Sequence, residues 1–448
     1  MDLIPAARGP HFCPVAARWP FFTSMKSRLL VLLVGLIGMW LSPNRAAAQK
    51  PPLTRPQYQE DFVYFWNTIR TSYGYFPSKQ TDWEQVQALY QPQLDTLSSR
   101  RAFVRLLENA LAELYDPHAG LSTNRPDSRR LVPTGCDVWA EFVSGKAVVR
   151  AVRPAFGAER SGVRVGMVVA AVNGVPVDEA LKPFLPRSLR RPDAAARNFA
   201  LLQLLAGDHL TPRVWSLQSA GGPFIAHPDD AGMQLENSRY PTLLEVRRIG
   251  TVGYIKVNNS LFDNGLIAPF DSALTALGNT QGLILDLRET PSGGNTTVAR
   301  AIMGRFIERE APYQRHELPE DVQTQTRRSW LELVAPRGVR YAAPVVVLVG
   351  RWTGSMGEGL AIGFDALGRA TVVGPEMARL NGAIYSYKLP NSSIGFSIPV
   401  ERLFHVNGQP REAFRPPVYV APVADGKDSA NGPDPALQRA LSLLQVRK

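Results

Sequence analysis

The sequence predicts a multidomain α/β protein with an N-terminal helical region, a small β-rich domain and an α/β core. Three observations lead to this prediction. Apolar residues recur at helical spacing in residues 51–126, and short β-branched segments separated by Gly turns fill residues 131–190. Strand and helix patterns then alternate through residues 246–425, which is typical of a mostly parallel sheet. A chain of 448 residues can form several such domains.

Residues 1–48 are predicted to be an N-terminal extension followed by a signal peptide; residues 1–24 resemble neither a signal nor a domain, and the features of an export signal begin at Met25. Met25–Arg28 is a basic start, Leu29–Leu41 is a short apolar run, and Ala46–Ala48 is a small-residue cleavage site. We therefore expect a periplasmic or secreted protein that is cleaved near Ala48. The alternative is an uncleaved membrane anchor, but the apolar run is short for a transmembrane span. We expect no stable membrane span in the mature chain.

Charge and cysteine content exclude several function classes. The net charge is +11, of which residues 1–48 supply a surplus of +4, and the remaining positive charge is spread without a dense Lys/Arg run. We therefore expect no nucleic-acid partner. Cys136 stands alone once Cys13 is removed with the signal, so the chain forms no intrachain disulfide and no cysteine-based metal site. No metal or organic cofactor is expected.

The N-terminal region is predicted to contain two amphipathic helices, Asp61–Arg70 and Ser99–Leu114. Ser98 or Ser99 suits the N-cap of the second helix. That helix is expected to end at Tyr115-Asp116-Pro117, because Pro cannot continue a helix.

The β-rich domain and the region after it are predicted from turn residues and apolar segments. The three predicted strands of the domain are Val138–Val143, Ala147–Val152 and Met167–Val172. The connecting region, residues 191–245, is predicted to hold a helix at Ala194–Leu205, a strand at Val214–Leu217 and a loop at Gly221–Gly232.

Strands and helices alternate in the core. The predicted elements are strands at Val252–Val257 and Gly282–Leu287, helices at Ala268–Leu277 and Thr296–Phe306, and a strand–turn–helix–strand unit over residues 345–374. A final helix is expected at Pro433–Val446, within the C-terminal segment 426–448.

The turn in residues 345–374 places Ser355 between a buried strand and an apolar helix. Such a corner exposes a hydroxyl, and the free N–H groups at the helix start can stabilise an oxyanion. A plain strand–helix connection with ordinary Gly-Ser turn chemistry explains the local pattern equally well. Ser355 is therefore a candidate nucleophile that needs a base.

Two further sites could complete such chemistry. His118 follows a helix end in Leu114-Tyr-Asp-Pro-His-Ala-Gly-Leu121, on a loop of the kind that presents catalytic side chains. The alternative for His118 is an ordinary solvated loop residue, and the same interpretation applies to His405. Gly293 and Gly294 follow the strand end at Asp286-Leu-Arg288, where backbone N–H groups can approach an anion. A structural turn is the alternative for this pair.

These segments together resemble the superfamily of C-terminal processing peptidases and tricorn, which are serine peptidases. Residues 152–177 contain Ala158-x-x-Ser-Gly-Val-x-x-Gly166 and Val172-Asn-Gly-x-Pro-Val177, which look like the PDZ module of these enzymes. Asp286–Arg288 with Gly293-Gly294 resembles the core strand and the oxyanion loop. Ser355 lies where the family has its nucleophile. The resemblance implies a crotonase-like catalytic core over residues 246–425.

The resemblance implies one of two catalytic plans. In one plan a Lys about 25 residues beyond the Ser is the base, but Leu380 and Asn381 occupy that place here. Lys388 is the nearest Lys downstream. In the tricorn-like plan a His is the base and a distant Glu orients the site, which assigns these roles to His118 and Glu412. The usual Glu-Gly of the family is Glu412-Ala here, so a surface carboxylate is the alternative for Glu412.

The prediction is therefore an exported serine endopeptidase that acts on peptides or unfolded proteins. The N–H groups of Met356 and of Gly293 or Gly294 would form the oxyanion hole. The PDZ-like module would bind peptide or protein C-termini by strand addition, and a homo-oligomer is possible. The alternatives are an inactive peptide- or ligand-binding protein on the same scaffold and a PDZ-bearing scaffold protein with an idle α/β domain.

Overall fold

The computed structural model describes residues 53–230, 240–321, 324–422 and 434–445. The predicted export signal and its cleavage site near Ala48 lie outside these residues. Among the helices within these ranges, none combines the length and the apolar character that a membrane span requires.

The N-terminal region forms helices α1 Arg55–Ser72, α2 Trp83–Tyr90 and α3 Arg100–Ala112, 3₁₀ turns at Phe76–Ser78 and Gln91–Thr96, and the short strand β1 Gly120–Leu121. Ser99 caps α3, because its hydroxyl accepts a hydrogen bond from Ala102 N at 3.2 Å. The helix prediction and one of the two predicted caps are confirmed. The chain between α3 and β1 carries His118.

The next region is a sheet with helices at its edges. Its elements are β2 Val138–Val143, β3 Lys146–Val152, α4 Gly157–Arg160, β4 Val168–Val172, β5 Val175–Pro176, α5 Val177–Leu181, a 3₁₀ turn at Lys182–Phe184, α6 Ala194–Ala206, β6 Trp215–Ser219 and β7 Gly222–Ala226. The strand order is β2-β3-β4-β6-β7, with β5 beside β4 and all neighbours antiparallel. The sheet therefore continues past residue 190 into the predicted connecting region.

The predicted loop at Gly221–Gly232 is wrong for its first part, since Gly222–Ala226 is strand β7. A two-residue turn at Ala220-Gly221 reverses the chain, so that β6 and β7 form a hairpin with Ser219 opposite Gly222. The Gly residues that indicated a loop instead make this turn.

The remaining chain forms the α/β core. Its elements are β8 Leu244–Ile249, β9 Val252–Val257, a 3₁₀ turn at Asn264–Leu266, α7 Ile267–Ala276, β10 Gly282–Asp286, α8 Thr296–Met303, β11 Ala311–Glu317, β12 Ser329–Val334, β13 Val345–Leu348, α9 Met356–Ala366, β14 Ala370–Gly374, β15 Ala383–Lys388, β16 Gly395–Phe404, a 3₁₀ turn at Arg411–Ala413, β17 Val418–Tyr419 and α10 Pro435–Gln445. The final helix thus lies inside its predicted range.

The central sheet has the order β17-β14-β13-β10-β9-β8 and is parallel except for β8. Every residue of β10 and β13 is buried, as expected for strands covered on both faces. Helices α7, α8 and α9 pack on one face, and α10 packs on the other. The predicted mostly parallel sheet is confirmed.

A second core sheet was not predicted. It has the order β1-β16-β11-β12, with β15 also paired to β16, and its neighbours are antiparallel. Strand β1 comes from the N-terminal region, where Gly120 pairs with Ser397 of β16. Because β1 starts two residues after His118, this pairing fixes the His118 loop against the core.

We predict that truncation of a core aromatic of α9 is far more costly than truncation of an exposed one. The Phe364 side chain is fully buried, with its ring centroid 5.1 Å from that of Phe306. Phe364→Ala should lower the free energy of unfolding by about 3–5 kcal/mol in urea denaturation. Phe262 is 61% exposed, so Phe262→Ala should change it by no more than about 0.5 kcal/mol. Equal losses in the two variants would contradict this packing.

Candidate active site

Ser355 lies in the turn between β13 and α9, at the N-cap of the helix. Its backbone has φ +50° and ψ −115°, a left-handed conformation that costs a non-Gly residue about 1–3 kcal/mol. The side chain is partly exposed, whereas the residues on both sides of it are buried. A strained strand-to-helix turn with an accessible hydroxyl is the local geometry of a nucleophile elbow.

A second turn, residues 290–294, packs directly against the Ser355 turn. Thr290 N donates to Trp352 O at 3.0 Å, and Gly354 N donates to Thr290 O at 3.2 Å. Gly293 has φ +66°, and a Cβ atom there would lie 2.4 Å from the Cβ of Ser355. Only Gly allows this approach. The two segments that the sequence singled out are therefore neighbours.

The N–H groups of these turns differ in their use. Gly293 N donates to Thr290 O at 3.0 Å. Among the hydrogen bonds of the described residues, none uses the N–H of Gly294 or of Met356. Met356 is the first residue of α9, where the helix dipole favours negative charge. Gly294 and Met356 are therefore the donors that remain for an anion beside Ser355.

His118 is partly buried in its loop, and its ring is held by backbone. His118 N donates to Asp116 Oδ1 at 2.9 Å, and Nδ1 lies 2.5 Å from Asn381 O. Since a carbonyl oxygen only accepts, Nδ1 carries the proton and Nε2 is left as the basic nitrogen. Burial, reinforced by the positive charge of Arg411, lowers the pKa of His118 to about 4. The ring is therefore neutral at pH 7.

The segment Arg379–Gly382, here called the bridge segment, connects the His118 loop to the Ser355 turn. On one side, Asn381 Nδ2 donates to Asp116 Oδ2 at 2.8 Å, in addition to the contact of its carbonyl with His118. On the other side, the N–H groups of Arg379 and Leu380 donate to Glu358 at 2.8 and 3.1 Å. Leu380 and Asn381, which occupy the position of the family's Lys, thus contact Glu358 and His118 through their backbone atoms.

Glu358 is a buried carboxyl that ties the Ser355 turn to the bridge segment. Its side chain accepts three backbone N–H groups, including Ser355 N at 2.9 Å. Burial raises the pKa of Glu358 to about 7, while the charge of Arg411 and the three hydrogen bonds oppose that rise. The sequence analysis missed this residue, although a Glu three residues after a Ser is a capping-box signal.

Arg411 is a second buried charged residue that the sequence analysis missed. Its guanidinium donates to Leu380 O at 2.6 Å and to Gly382 O at 2.8 Å, with a longer contact of 3.5 Å to Ser355 O. Only 3% of the residue is exposed. Nothing in the local sequence distinguishes Arg411 from a surface Arg, whereas the adjacent Glu412 is indicated by the family resemblance.

Glu412 lies near this group but does not contact the His118 ring through Nδ1, which is bonded to Asn381. Its Oε2 is buried and has no hydrogen-bond partner among the described residues. Burial raises the pKa of the Glu412 carboxyl. The Tyr75 hydroxyl lies at the bridge segment, where a Cβ on Gly382 would be 3.0 Å from it. Burial, followed by the charge of Glu412, raises the pKa of this hydroxyl.

The alternative bases lie elsewhere. Lys388 is exposed in β15, six residues beyond Gly382, which corresponds to about 20 Å along an extended strand. His405 pairs with Asp365 at 3.4 Å, and Asp365 lies ten residues beyond Ser355, about 15 Å along α9.

No hydrogen bond joins Ser355 Oγ to the His118 ring among the bonds formed by the described residues. In enzymes without bound substrate, this catalytic bond is often long and tightens only in the complex. The geometry therefore brings the two side chains to one region through the bridge segment.

Two protein-family models match parts of the sequence. Residues 251–417 match the model of peptidase family S41, and residues 54–112 match that of the tricorn protease C1 domain. No curated protein matches the sequence at a significant level.

The fold is similar to that of several solved structures. Mature CPAF is 15% identical with a TM-score of 0.55, covering 83% of this chain and 94% of that one. The photosystem II D1 C-terminal processing protease is 18% identical with a TM-score of 0.52, covering 82% and 93%. A putative peptidase of Parabacteroides merdae is 17% identical with a TM-score of 0.50, covering 86% and 96%. At these identities the likeness shows a shared fold.

The two family matches contain the helices before the His118 loop and the core that carries Ser355 and the bridge segment. Residues 251–417 therefore belong to peptidase family S41, and residues 54–112 to the family of the tricorn protease C1 domain.

Proposed function

We propose that this protein is a serine endopeptidase with Ser355 as nucleophile and His118 as base. The observation that carries the proposal is the bridge segment, which contacts His118 through Asn381 O and the Ser355 turn through Glu358. The S41 family match supports a protease function. The accessible hydroxyl and the neutral imidazole are the two groups that acyl transfer at neutral pH requires.

In the first half of the reaction, Ser355 Oγ forms a bond to the carbonyl carbon of the substrate while His118 Nε2 takes the hydroxyl proton. The carbonyl oxygen becomes an oxyanion. The C–N bond then breaks, and Nε2 returns its proton to the amine that leaves. Water repeats the sequence on the acyl-enzyme, with His118 again as base, and releases a carboxylic acid and free Ser355.

The oxyanion would be held by the N–H groups of Met356 and Gly294. Both lack another partner among the described residues, whereas Gly293 N is bonded to Thr290 O. Gly293 would contribute by having no side chain, which leaves space beside the Ser355 Cβ. Loss of one such donor typically costs about 2.7–4 kcal/mol of transition-state stabilisation.

Glu412 would orient the site through Tyr75 rather than by direct contact with His118 Nδ1. Both the Glu412 carboxyl and the Tyr75 hydroxyl have a buried oxygen without a hydrogen-bond partner in the described residues. A buried polar atom without a partner is costly, so a hydrogen bond between these two oxygens in the substrate complex would remove the cost of both. Glu412 would thus act on the site through a hydrogen bond to the Tyr75 hydroxyl.

The sheet β2–β7 would act as the PDZ-like module that receives a peptide or protein C-terminus. Strand β2 is at the edge of this sheet, as strand addition requires. Phe142 N, on this edge, already donates to Asn198 Oδ1 of α6 at 2.8 Å, so a peptide would have to displace Asn198. Export of the mature chain and its assembly into a homo-oligomer are further parts of this proposal.

Labelling with a serine-directed fluorophosphonate tests the nucleophile and its base. The mature wild-type chain should be modified at Ser355, as located by peptide mass spectrometry, and should cleave an unfolded protein. Ser355→Ala should abolish both results, and His118→Ala should reduce the labelling rate by at least about 10²-fold. Lys388→Ala is the matched control and should keep wild-type activity.

An inactive but folded Lys388→Ala variant would restore the Ser–Lys plan. Absence of wild-type labelling, together with binding of a C-terminal peptide, would replace the peptidase proposal with a ligand-binding function.

The pH dependence of labelling should follow the lowered pKa of His118. Protonation removes the basic nitrogen, so the labelling rate should rise with pH and reach half of its maximum at about pH 4. At pH 6.5 the rate should already be close to its maximum. Labelling rates from pH 3 to pH 8, with circular dichroism at each pH to establish folding, measure this midpoint. A midpoint at the ordinary pKa of an exposed His, with the protein folded throughout, would contradict the buried neutral imidazole.

A double-mutant cycle tests the route from Glu412 through Tyr75. If the two groups act as one unit, Glu412→Gln and Tyr75→Phe should each lower the rate of peptide cleavage, and the double variant should lose no more than the larger single loss. Tyr64→Phe, on an exposed residue of α1, is the matched control and should be silent. Additive losses would show that Glu412 and Tyr75 act independently.

A further inference from the structure

The side chain of Arg411 contacts backbone carbonyl oxygens of the site, whereas Glu358 contacts backbone N–H groups. Its guanidinium bonds to the bridge segment at Leu380 O and Gly382 O, and it also approaches the carbonyl of Ser355. The two bridge carbonyls flank Asn381, whose own carbonyl holds the His118 ring. One side chain therefore contacts both the nucleophile turn and the support of the base.

A buried guanidinium is costly unless its donors are satisfied and its charge is balanced. Two of its bonds to carbonyl oxygens, at 2.6 and 2.8 Å, satisfy part of this requirement. Burial raises the pKa of the Glu358 carboxyl, and the positive charge of Arg411 opposes that rise, so the two buried groups act on each other. Glu358 accepts hydrogen bonds from N–H groups of the Ser355 turn and the bridge segment, and Arg411 contacts carbonyl oxygens of the same two segments.

The shape of the Arg411 guanidinium suits its contacts with the bridge segment and the Ser355 turn. The planar guanidinium presents several N–H groups in a fixed fork, whereas a Lys ammonium is a compact charge on a flexible stem. One nitrogen, Nη2, donates to both bridge carbonyls, and Nη1 makes the longer contact with Ser355 O. The fork therefore lets one side chain reach the bridge segment and the Ser355 turn together, which a single Lys nitrogen cannot do.

We propose that Arg411 is a positioning residue for the Ser355–His118 pair. It fixes the position of the His118 ring relative to Ser355 by holding the bridge segment against the nucleophile turn. The inference rests on the proposed function for its effect on catalysis and on the contacts alone for its effect on the bridge segment. Arg411 touches neither substrate nor the reacting atoms in this scheme. Loss of its contacts lets Asn381 O move and, with it, the His118 ring.

The test compares Arg411→Met and Arg411→Lys with a matched control, Arg369→Met. Arg369 also donates to three backbone carbonyls, those of Phe306, Tyr341 and Ala343, but it lies outside the site. Its loss reproduces the general structural cost of removing a carbonyl-binding Arg. All variants are made in the full mature chain.

The first readout is amide hydrogen exchange in peptides that cover residues 376–384. Arg379 N and Leu380 N, which donate to Glu358, should exchange at least about tenfold faster in both Arg411 variants and at the wild-type rate in Arg369→Met. This readout needs no activity. Unchanged exchange in folded Arg411→Met overturns the inference, whatever the protein is found to catalyse.

The second readout is the pKa of His118 from nuclear magnetic resonance. The charged groups that act on the ring are Arg411, which lowers its pKa, and Asp116 of its own loop, which raises it; the carbonyls of Asn381 and Gly382 also raise it. Arg411→Met removes a positive charge, so the pKa should rise above about 4, and in Arg411→Lys it should stay low. An unchanged pKa in Arg411→Met shows that Arg411 does not act near His118.

The third readout is catalysis. Both Arg411 variants should lower kcat for peptide cleavage and the fluorophosphonate labelling rate about 10- to 100-fold with little change in KM, since a small misplacement of reacting groups costs this much. Arg369→Met should keep the wild-type kcat at a temperature where it is folded. Wild-type kcat in both Arg411 variants overturns the inference. A wild-type protein that is not labelled defeats the proposed function instead, and the exchange result then still decides the role of Arg411.

Discussion

The site depends on one physical requirement, which is that the polar backbone of the bridge segment be satisfied away from solvent. Buried N–H and C=O groups without partners are costly, and here a buried carboxyl and a buried guanidinium bond to them. Glu358 accepts the N–H groups of Arg379 and Leu380, and Arg411 donates to the carbonyls of Leu380 and Gly382. The same two side chains reach the backbone of Ser355, so the segment is fixed against the nucleophile turn.

Close packing of backbone on backbone gives the site its second constraint. The turns that contain Gly293 and Ser355 approach until a Cβ on Gly293 would overlap Ser355. Ser355 itself adopts a positive φ, a strained conformation that its surroundings must hold. The neighbouring N–H groups of Gly294 and Met356 are left without partners as a result, which is the condition for an oxyanion site.

Much of the fold could be predicted because its signals are local. Periodic apolar residues located α3, and Ser99 marked its start; uninterrupted apolar runs located β10 and β13. The antiparallel sheet that joins β1 to β16 could not be predicted in this way, since Gly120–Leu121 is two residues long and Gly120 pairs with Ser397, 277 residues further along the sequence. Pairing at such a separation leaves no local pattern. Strand β7 was missed for a different reason, because it follows a two-residue turn whose Gly residues indicated a longer loop.

The sequence by itself determined the candidate groups, His118 and Ser355, because each has a local signal: a loop after a helix end and a Gly-rich turn between strand and helix. Only the tertiary structure decided what surrounds them. A carbonyl of Asn381 rather than a carboxylate bonds to His118 Nδ1, and Arg411 and Glu358 join the segments. Backbone atoms are the same at every residue, so no sequence pattern reveals which carbonyl a side chain will meet once distant segments pack together.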